Sequence, residues 1–458
     1  MVPITLLNLI ENNSFLNELS SLYHSNGFEI YLVGGAVRDG ILDTPTNDFD
    51  FTTNATPDES ISLLKKNNYK TTEVGRDFGT IEVRLAPERV VHITTFRKDT
   101  YDTDSRNPEI EKAKDLITDL SRRDFTINSI AYSLETSELI DPFLGLKDLA
   151  SGTISTPDNP IISFSDDPLR MLRVCRFVST HGFSPDNETY VAMKENIERI
   201  KIITKERIRD EINKLLVGNS PSMGIRTLVE SGLSLYIIPE INELKIEVDP
   251  KHHHKDVYEH TLAVLDGVPP KLTLRMGALL HDIAKPNTKG IENGKVHFRH
   301  HEVVGARMTK KILKGLKYDK KTIEDIALLV EQHLRPHTFK MGWTDSAVRR
   351  YIVDAGHMLE DLNQLVRADV TTKNKIKAKE IYDNLDEMEK RIEEVKAKEE
   401  LSKIRPALTG NEIMEHFNIQ PGPKVGVIMK ALYEQRINEG EVSKEDALKL
   451  AEETYKNL

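Results

Sequence analysis

Tyr31-Leu32-Val33-Gly34-Gly35-Ala36-Val37-Arg38-Asp39, followed after a short connector by Asp48-Phe49-Asp50-Phe51, is the stretch on which the fold turns. Tyr31 to Val33 is an apolar run suited to a buried strand. It stops at Gly34-Gly35, where the chain turns tightly and brings backbone N–H groups close to a ligand. Ala36 to Asp39 then opens a helix, which puts a phosphate cradle at a helix N-terminus with the Arg38 guanidinium beside it. Side chains two apart on a strand share a face, so Asp48 and Asp50 aim at one point while Phe49 turns into the core. Paired hard oxygen ligands suit Mg²⁺ held together with a nucleotide's phosphates. A lone Gly-Gly or Asp-x-Asp is common at solvated turns and strand ends; the two in close succession are far more specific.

Together these strings resemble the nucleotidyltransferase signature of the polymerase beta superfamily, and within it the class II group that holds bacterial CCA-adding enzymes and poly(A) polymerases. The resemblance implies catalytic Asp48 and Asp50 as Mg²⁺ ligands, with Gly35 and Arg38 on a nucleoside triphosphate. Further on, Ser121-Arg122-Arg123-Asp124-Phe125-Thr126-Ile127-Asn128 is similar to the family's second motif and makes Arg123 a triphosphate contact, with Arg122 a weaker candidate. One departure is His92, in Val91-His92-Ile93-Thr94-Thr95-Phe96-Arg97, where the family usually has an acid. A two-carboxylate site and a substitute at Glu82 both stay open.

The second anchor is Asp166-Asp167-Pro168-Leu169-Arg170-Met171-Leu172-Arg173-Val174-Cys175-Arg176-Phe177. Read as a helix, it sets Asp167, Arg170 and Arg173 three apart on one face with Arg176 next in line, and turns Leu169, Leu172 and Phe177 to the core. By itself this is a surface ion-pair pattern worth about 0.3 kcal/mol. Behind the head it resembles the family's amino-acid template, in which Asp167 and Arg170 would hydrogen-bond the edges of C and A, supported by Arg173 and Arg176. Asp166 replaces the usual Glu there. Thr204 to Glu211 is similar to the capped helix that braces this neck.

Histidine density jumps near residue 250, with His252-His253-His254, His260, His281-Asp282, His300-His301, His333 and Asp369. Imidazole with carboxylate suits a divalent transition metal. The spacing resembles the HD phosphohydrolase domain, whose ligands would map to His260, His281, Asp282 and Asp369, with His301 and His333 matching the extra histidines of related sites. Phosphatase or cyclic phosphodiesterase activity and a body that only holds RNA are equally compatible with it.

At 458 residues the chain needs two to four domains. The patterning gives an α+β head over 1–150 with a small mixed sheet, then an all-α remainder: a neck over 151–245, an HD body over 246–375 and a tail over 376–458. Residues 5–27 read as one amphipathic helix, 98–108 as a mobile loop, and 375–403 as a solvated helix. In the resembling family a loop near 98–108 helps the site change from C to A, and its full length here favours complete CCA addition. No apolar run is long enough for a bilayer, and Met-Val-Pro-Ile lacks a basic leader, so a cytoplasmic protein without membrane contact is expected. The single cysteine, Cys175, excludes an intrachain disulfide. Lys+Arg at 63 against Asp+Glu at 73 excludes a surface basic all over, but local clusters such as Arg170 to Arg176 are compatible with a structured RNA. The expected partners are the 3′ end of tRNA, CTP and ATP. The competing readings are a poly(A) polymerase and a chiefly hydrolytic HD enzyme; the oligomeric state is not legible.

Overall fold

The computed structural model describes residues 2–73, 75, 78–86, 89–100, 109–246, 256–293, 295–372, 374–398 and 405–458. Two compact units divide it, Met1–Asn242 and Glu243–Leu458. The first opens with α1 (Ile4–Glu11) and α2 (Phe15–His24), not with one helix over 5–27. The Asn13 side chain donates to the Leu9 carbonyl at 2.8 Å and so competes with the helix ladder at the break.

The head's strands are β1 (Ile30–Val33), β2 (Phe49–Thr53), β3 (Lys70–Thr72), β4 (Thr80–Ala86), β5 (Arg89–Thr95), β6 (Arg97–Thr100), β7 (Glu109–Lys112), β8 (Ala131–Ser133) and β9 (Glu138–Ile140). Seven of them form one mixed sheet in the order β3-β4-β5-β2-β1-β8-β9. β2 runs antiparallel to β1, with Asp50 opposite Val33, and parallel to β5, with Asp50 opposite His92. Phe49 and Phe51 are buried, and Phe15 meets the Phe49 ring edge-on at 5.2 Å. The helices here are α3 (Gly35–Ile41), α4 (Pro57–Lys66), α5 (Leu116–Ser121) and α6 (Gly145–Ser151). Thr56 and Glu59 close a full capping box on α4, as the Thr-Pro-Asp-Glu string favours. The ends of the segment read as a loop are paired, since β6 and β7 form a hairpin with Arg97 opposite Lys112. Residues 101–108 lie outside the described residues.

The neck is α7 (Pro160–Asp166), α8 (Leu169–His181), α9 (Asn187–Glu195), α10 (Lys205–Leu216) and α11 (Pro221–Glu230). α8 packs on α10 and α11, its Leu169, Leu172, Cys175 and Phe177 are buried, Phe177 against Phe125 of the head, and the thiol of Cys175 is pushed up in pKa by desolvation.

In the second unit, helices Val257–Gly267 and His301–Gly315 carry His260 and His301, His281 and His333 cap the C-termini of Leu272–Leu280 and Lys320–Gln332, Leu359–Asp369 ends on Asp369, and Lys289–Glu292 pairs antiparallel with Lys295–Phe298. Helix Lys375–Lys398 is not merely solvated: Leu385, Met388, Ile392 and Val395, spaced three and four apart, are buried. The tail helices Gly410–Phe417, Pro423–Glu439 and Lys444–Lys456 close on Leu408, Ile413, Ile428, Leu432, Ala447 and Ala451. Among the described residues no helix is long and apolar enough to cross a membrane.

Candidate active site

A cleft of about 820 Å³ in the first unit gathers the head and neck motifs, lined by Gly34, Gly35, Arg38, Asp48, Asp50, His92, Arg122, Arg123, Asp167, Arg170, Arg173, Arg176 and Lys214 among others. Its floor is the turn after β1. Gly34 adopts φ +70° and ψ −133°, a backbone that side chains resist, and a Cβ there would stand 3.1 Å from Arg123 Nη1 and 4.0 Å from Asp50 Oδ2. The geometry therefore requires glycine at 34 more than at 35, where a Cβ would meet only Arg38 Nη2 at 3.6 Å.

Asp50 lies in β2, but Asp48 stands one residue before the strand, in a segment held by a Thr46 hydroxyl bond to its N–H at 3.3 Å. The Asp48 side chain is 80 % exposed, and desolvation followed by the charge of Asp50 raises its pKa. His92 Nδ1 lies 3.5 Å from Asp50 Oδ1 and 3.9 Å from Asp48 Oδ1. The three donor atoms fall within 4.8 Å of one another, so the donor set fits one divalent cation.

Opposite these acids, two buried carboxylates fix the arginines. Asp119 on α5 accepts from Arg122 at 2.7 Å, Arg123 at 3.3 Å and the Thr52 hydroxyl at 3.0 Å. Burial alone would raise its pKa; the two guanidinium groups override this and hold it low. Asp124 pairs with Arg173 at 2.8 Å and accepts from Asn128 at 2.9 Å, and Asn128 in turn accepts from Arg38 at 2.6 Å. Its pKa is likewise held down against burial by Arg173. The Arg38 and Arg176 guanidinium groups sit over the Phe177 ring, 5.1 Å and 4.6 Å from its centre. Burial and neighbouring Arg173 push Arg176 down to about 10. Asp119, Asp124 and Asn128 escaped the sequence reading, although Asp119, Arg122 and Arg123 stand at i, i+3 and i+4, the spacing that brings helical side chains together.

One expectation for the neck needs correction. Asp167 is not on the helix of Arg170 and Arg173: it ends α7 in extended conformation, φ −128° and ψ 95°, because Pro168 begins the next helix and disfavours helical geometry before it. Its carboxylate accepts from Leu169 N–H at 3.1 Å and Arg207 at 3.3 Å. Arg170 is nearly buried and donates to Ser163 Oγ at 2.6 Å and to the Arg122 carbonyl at 2.5 Å. Both line the cleft all the same.

The second unit has its own cluster. His260 Nε2 is 2.9 Å from Asp369 and 3.5 Å from Asp282; His281 Nε2 is 3.3 Å from Asp282; His301 Nε2 is 3.3 Å from Asp282. Each outer nitrogen is tied down: His281, His301 and His333 meet the carbonyls of Ala278, Phe298 and Val330 through Nδ1 at 2.8, 2.7 and 2.6 Å, and His260 meets Thr371 Oγ1 at 2.7 Å. A carbonyl only accepts, so Nδ1 of those three carries a proton, and in the neutral ring the Nε2 lone pair is left for the centre. His301 Nε2 and His333 Nε2 are buried without a hydrogen-bond partner, as ligand atoms without their ion would be. Two donor groups emerge, His260/His281/Asp369 and Asp282/His301/His333, which fit divalent transition ions. All four HD candidates thus come together, and His301 and His333 join them; His252, His253 and His254 lie outside the described residues.

Comparison with known proteins places these sites in a lineage. Residues 30–155 match the poly A polymerase head domain, 182–245 the probable RNA and SrmB-binding site of polymerase A, and 252–439 the HD domain. The A-adding tRNA nucleotidyltransferase of Deinococcus radiodurans is 30% identical over 421 residues, 88% of this chain and 91% of that protein. The CCA-adding enzyme of Geobacillus sp. is 42% identical over 213 residues, 46% of this chain, and the match spans about half, 51%, of its length. The crystal structure of the Bacillus stearothermophilus CCA-adding enzyme in complex with CTP has the same fold, with a TM-score of 0.69 at 23% identity, covering 96% of this chain and 97% of that one.

Proposed function

We propose template-independent addition of C, C and A to the 3′ end of tRNA for this chain, which belongs to the tRNA nucleotidyltransferase family. The observation that carries the reading is the pair Asp48/Asp50 facing Arg38 and Arg123 across one cleft that also holds Asp167 and Arg170. Asp48 and Asp50 would hold Mg²⁺, which when bound would lower the pKa of the attacking 3′-hydroxyl and offset charge on the α-phosphate and leaving pyrophosphate. The Gly34-Gly35 backbone, Arg38 and Arg123 grip the triphosphate of CTP or ATP, with the arginines held in place by Asn128 and Asp119. Asp167 and Arg170 select the base, and Arg173 and Arg176 support them. Arg170 has five N–H donors, and its bonds to Ser163 and Arg122 engage only some of them. Asp48→Ala is expected to abolish CMP and AMP addition to tRNA; retained addition would overturn the reading.

A second reading is AMP addition alone to a tRNA that already ends in CC. The relative matched along nearly its whole length, 91%, is an A-adding enzyme. The full length of the 98–108 segment, through the family resemblance, favours complete CCA addition instead.

The histidine cluster supports a separate hydrolytic activity on phosphate esters. Its donors fit two divalent ions, and Lys285, 2.6 Å from Asp282, adds a cation beside them. Hydrolysis of a phosphomonoester or cyclic nucleotide that depends on added metal and is lost in His281→Ala tests it.

A further inference from the structure

We propose that the imidazole of His92 is itself a ligand in the head's metal centre, so that this centre binds Mn²⁺ or Co²⁺ more tightly than Mg²⁺. The inference rests on the reading of the cleft as the seat of a metal-bound nucleotide. β5 lies parallel to β2 with His92 directly beside Asp50, which places the two side chains on one face. Donors about 2.1 Å from one ion stand roughly 3 Å apart when adjacent and about 4.2 Å apart when opposite. The separations of 3.5 Å from His92 Nδ1 to Asp50 and 3.9 Å to Asp48 fall in that interval. All three donor atoms lie within 4.8 Å of one another, close enough to share one ion. Glu82 on β4 is the cross-strand neighbour of His92 and adds a further acid on that side.

The chemical consequence is selectivity. Mg²⁺ is bound almost wholly through oxygen, whereas imidazole suits first-row transition ions. A site with one nitrogen and two oxygen donors therefore gains most with Mn²⁺ or Co²⁺.

The test is pulsed EPR on the full chain with Mn²⁺ and CTP, without tRNA. Because the second unit has its own histidines, the spectrum of Asp48→Ala is subtracted to isolate the ion held in the head. The expected difference spectrum shows ¹⁴N coupling from a directly bound imidazole together with ³¹P coupling from the triphosphate. In His92→Asp the ¹⁴N coupling disappears and the ratio of Mn²⁺ to Mg²⁺ affinity, measured by titration, falls by about tenfold or more. A difference spectrum without ¹⁴N coupling, or coupling that survives His92→Asp, overturns the assignment. Nucleotide addition to tRNA with Mg²⁺ separates the two levels: addition without ¹⁴N coupling removes only the ligand role of His92, while no addition with any ion removes the reading beneath it as well.

Discussion

Asp119 shows how much of a site is made by a residue that never faces the substrate. Its carboxylate is inaccessible and anchors Arg122 and Arg123. Replacing it with asparagine takes the counter-charge from Arg123 and leaves Arg122 only Asp99, 3.5 Å away, at a cost of about 3 kcal/mol at pH 7. The folded carboxyl titrates below its unfolded value near 3.9, so the stability it contributes is present above about pH 4 and is lost as pH falls through the lower folded value. Urea unfolding of Asp119→Asn is accordingly expected to show its full deficit at pH 7 and a shrinking one below pH 4. A deficit independent of pH would show that charge is not the cause. Arg170→Ala is expected to relax the choice between CTP and ATP with little change in triphosphate affinity, and to lower stability by about 1–3 kcal/mol by stranding Ser163 Oγ and the Arg122 carbonyl. Competition between the two nucleotides at equal concentration reads the first effect and thermal unfolding the second. At this scale the exposed chemistry was legible, because Asp48, Asp50, Arg38 and the histidines stand in strings with tight spacing. The buried support was not: Asp124 takes its partner Arg173 from another element, and Asp119, although Arg122 and Arg123 follow it at i+3 and i+4, stands outside the Ser121–Asn128 string.

Among the elements, strands announced themselves where apolar residues alternate or run together. The strings Tyr31–Val33 and Asp48–Phe51 marked β1 and β2, although Asp48 falls just outside the strand. β3, β8 and β9 are three residues each, too short for a period to register. Helix Lys375–Lys398 was misjudged because Lys and Glu dominate its composition, while its stripe of Leu385, Met388, Ile392 and Val395 is narrow. Met388→Ala is therefore expected to destabilise the second unit by about 2–4 kcal/mol, whereas Glu387→Ala, on the exposed face, is close to neutral. Equal melting temperatures for the two would return the helix to a solvated role. Asp167 carries the same lesson in another form: helical spacing suggested a shared face with Arg170, but the proline that follows it decides the backbone.

For the whole molecule, the two units carry two separate donor constellations, one of carboxylates with a single imidazole and one of histidines around Asp282. His281→Ala is expected to remove phosphoester hydrolysis and the metal held by the second unit while leaving CMP addition intact, and Asp48→Ala to remove CMP addition and the metal held in the head while leaving hydrolysis intact. Loss of both activities in either variant would argue against two independent centres. The family resemblance was legible from the first motif onward because its strings recur through head, neck and HD body; what the strings leave undivided is complete CCA addition from A addition alone. The direct test is to offer the chain three tRNAs, ending before the first C, after CC and after CCA, with CTP and ATP together and one at a time. The account predicts three nucleotides added to the first, one AMP to the second and none to the third. Addition of AMP only to the tRNA ending in CC, or no addition to any of them, would contradict it.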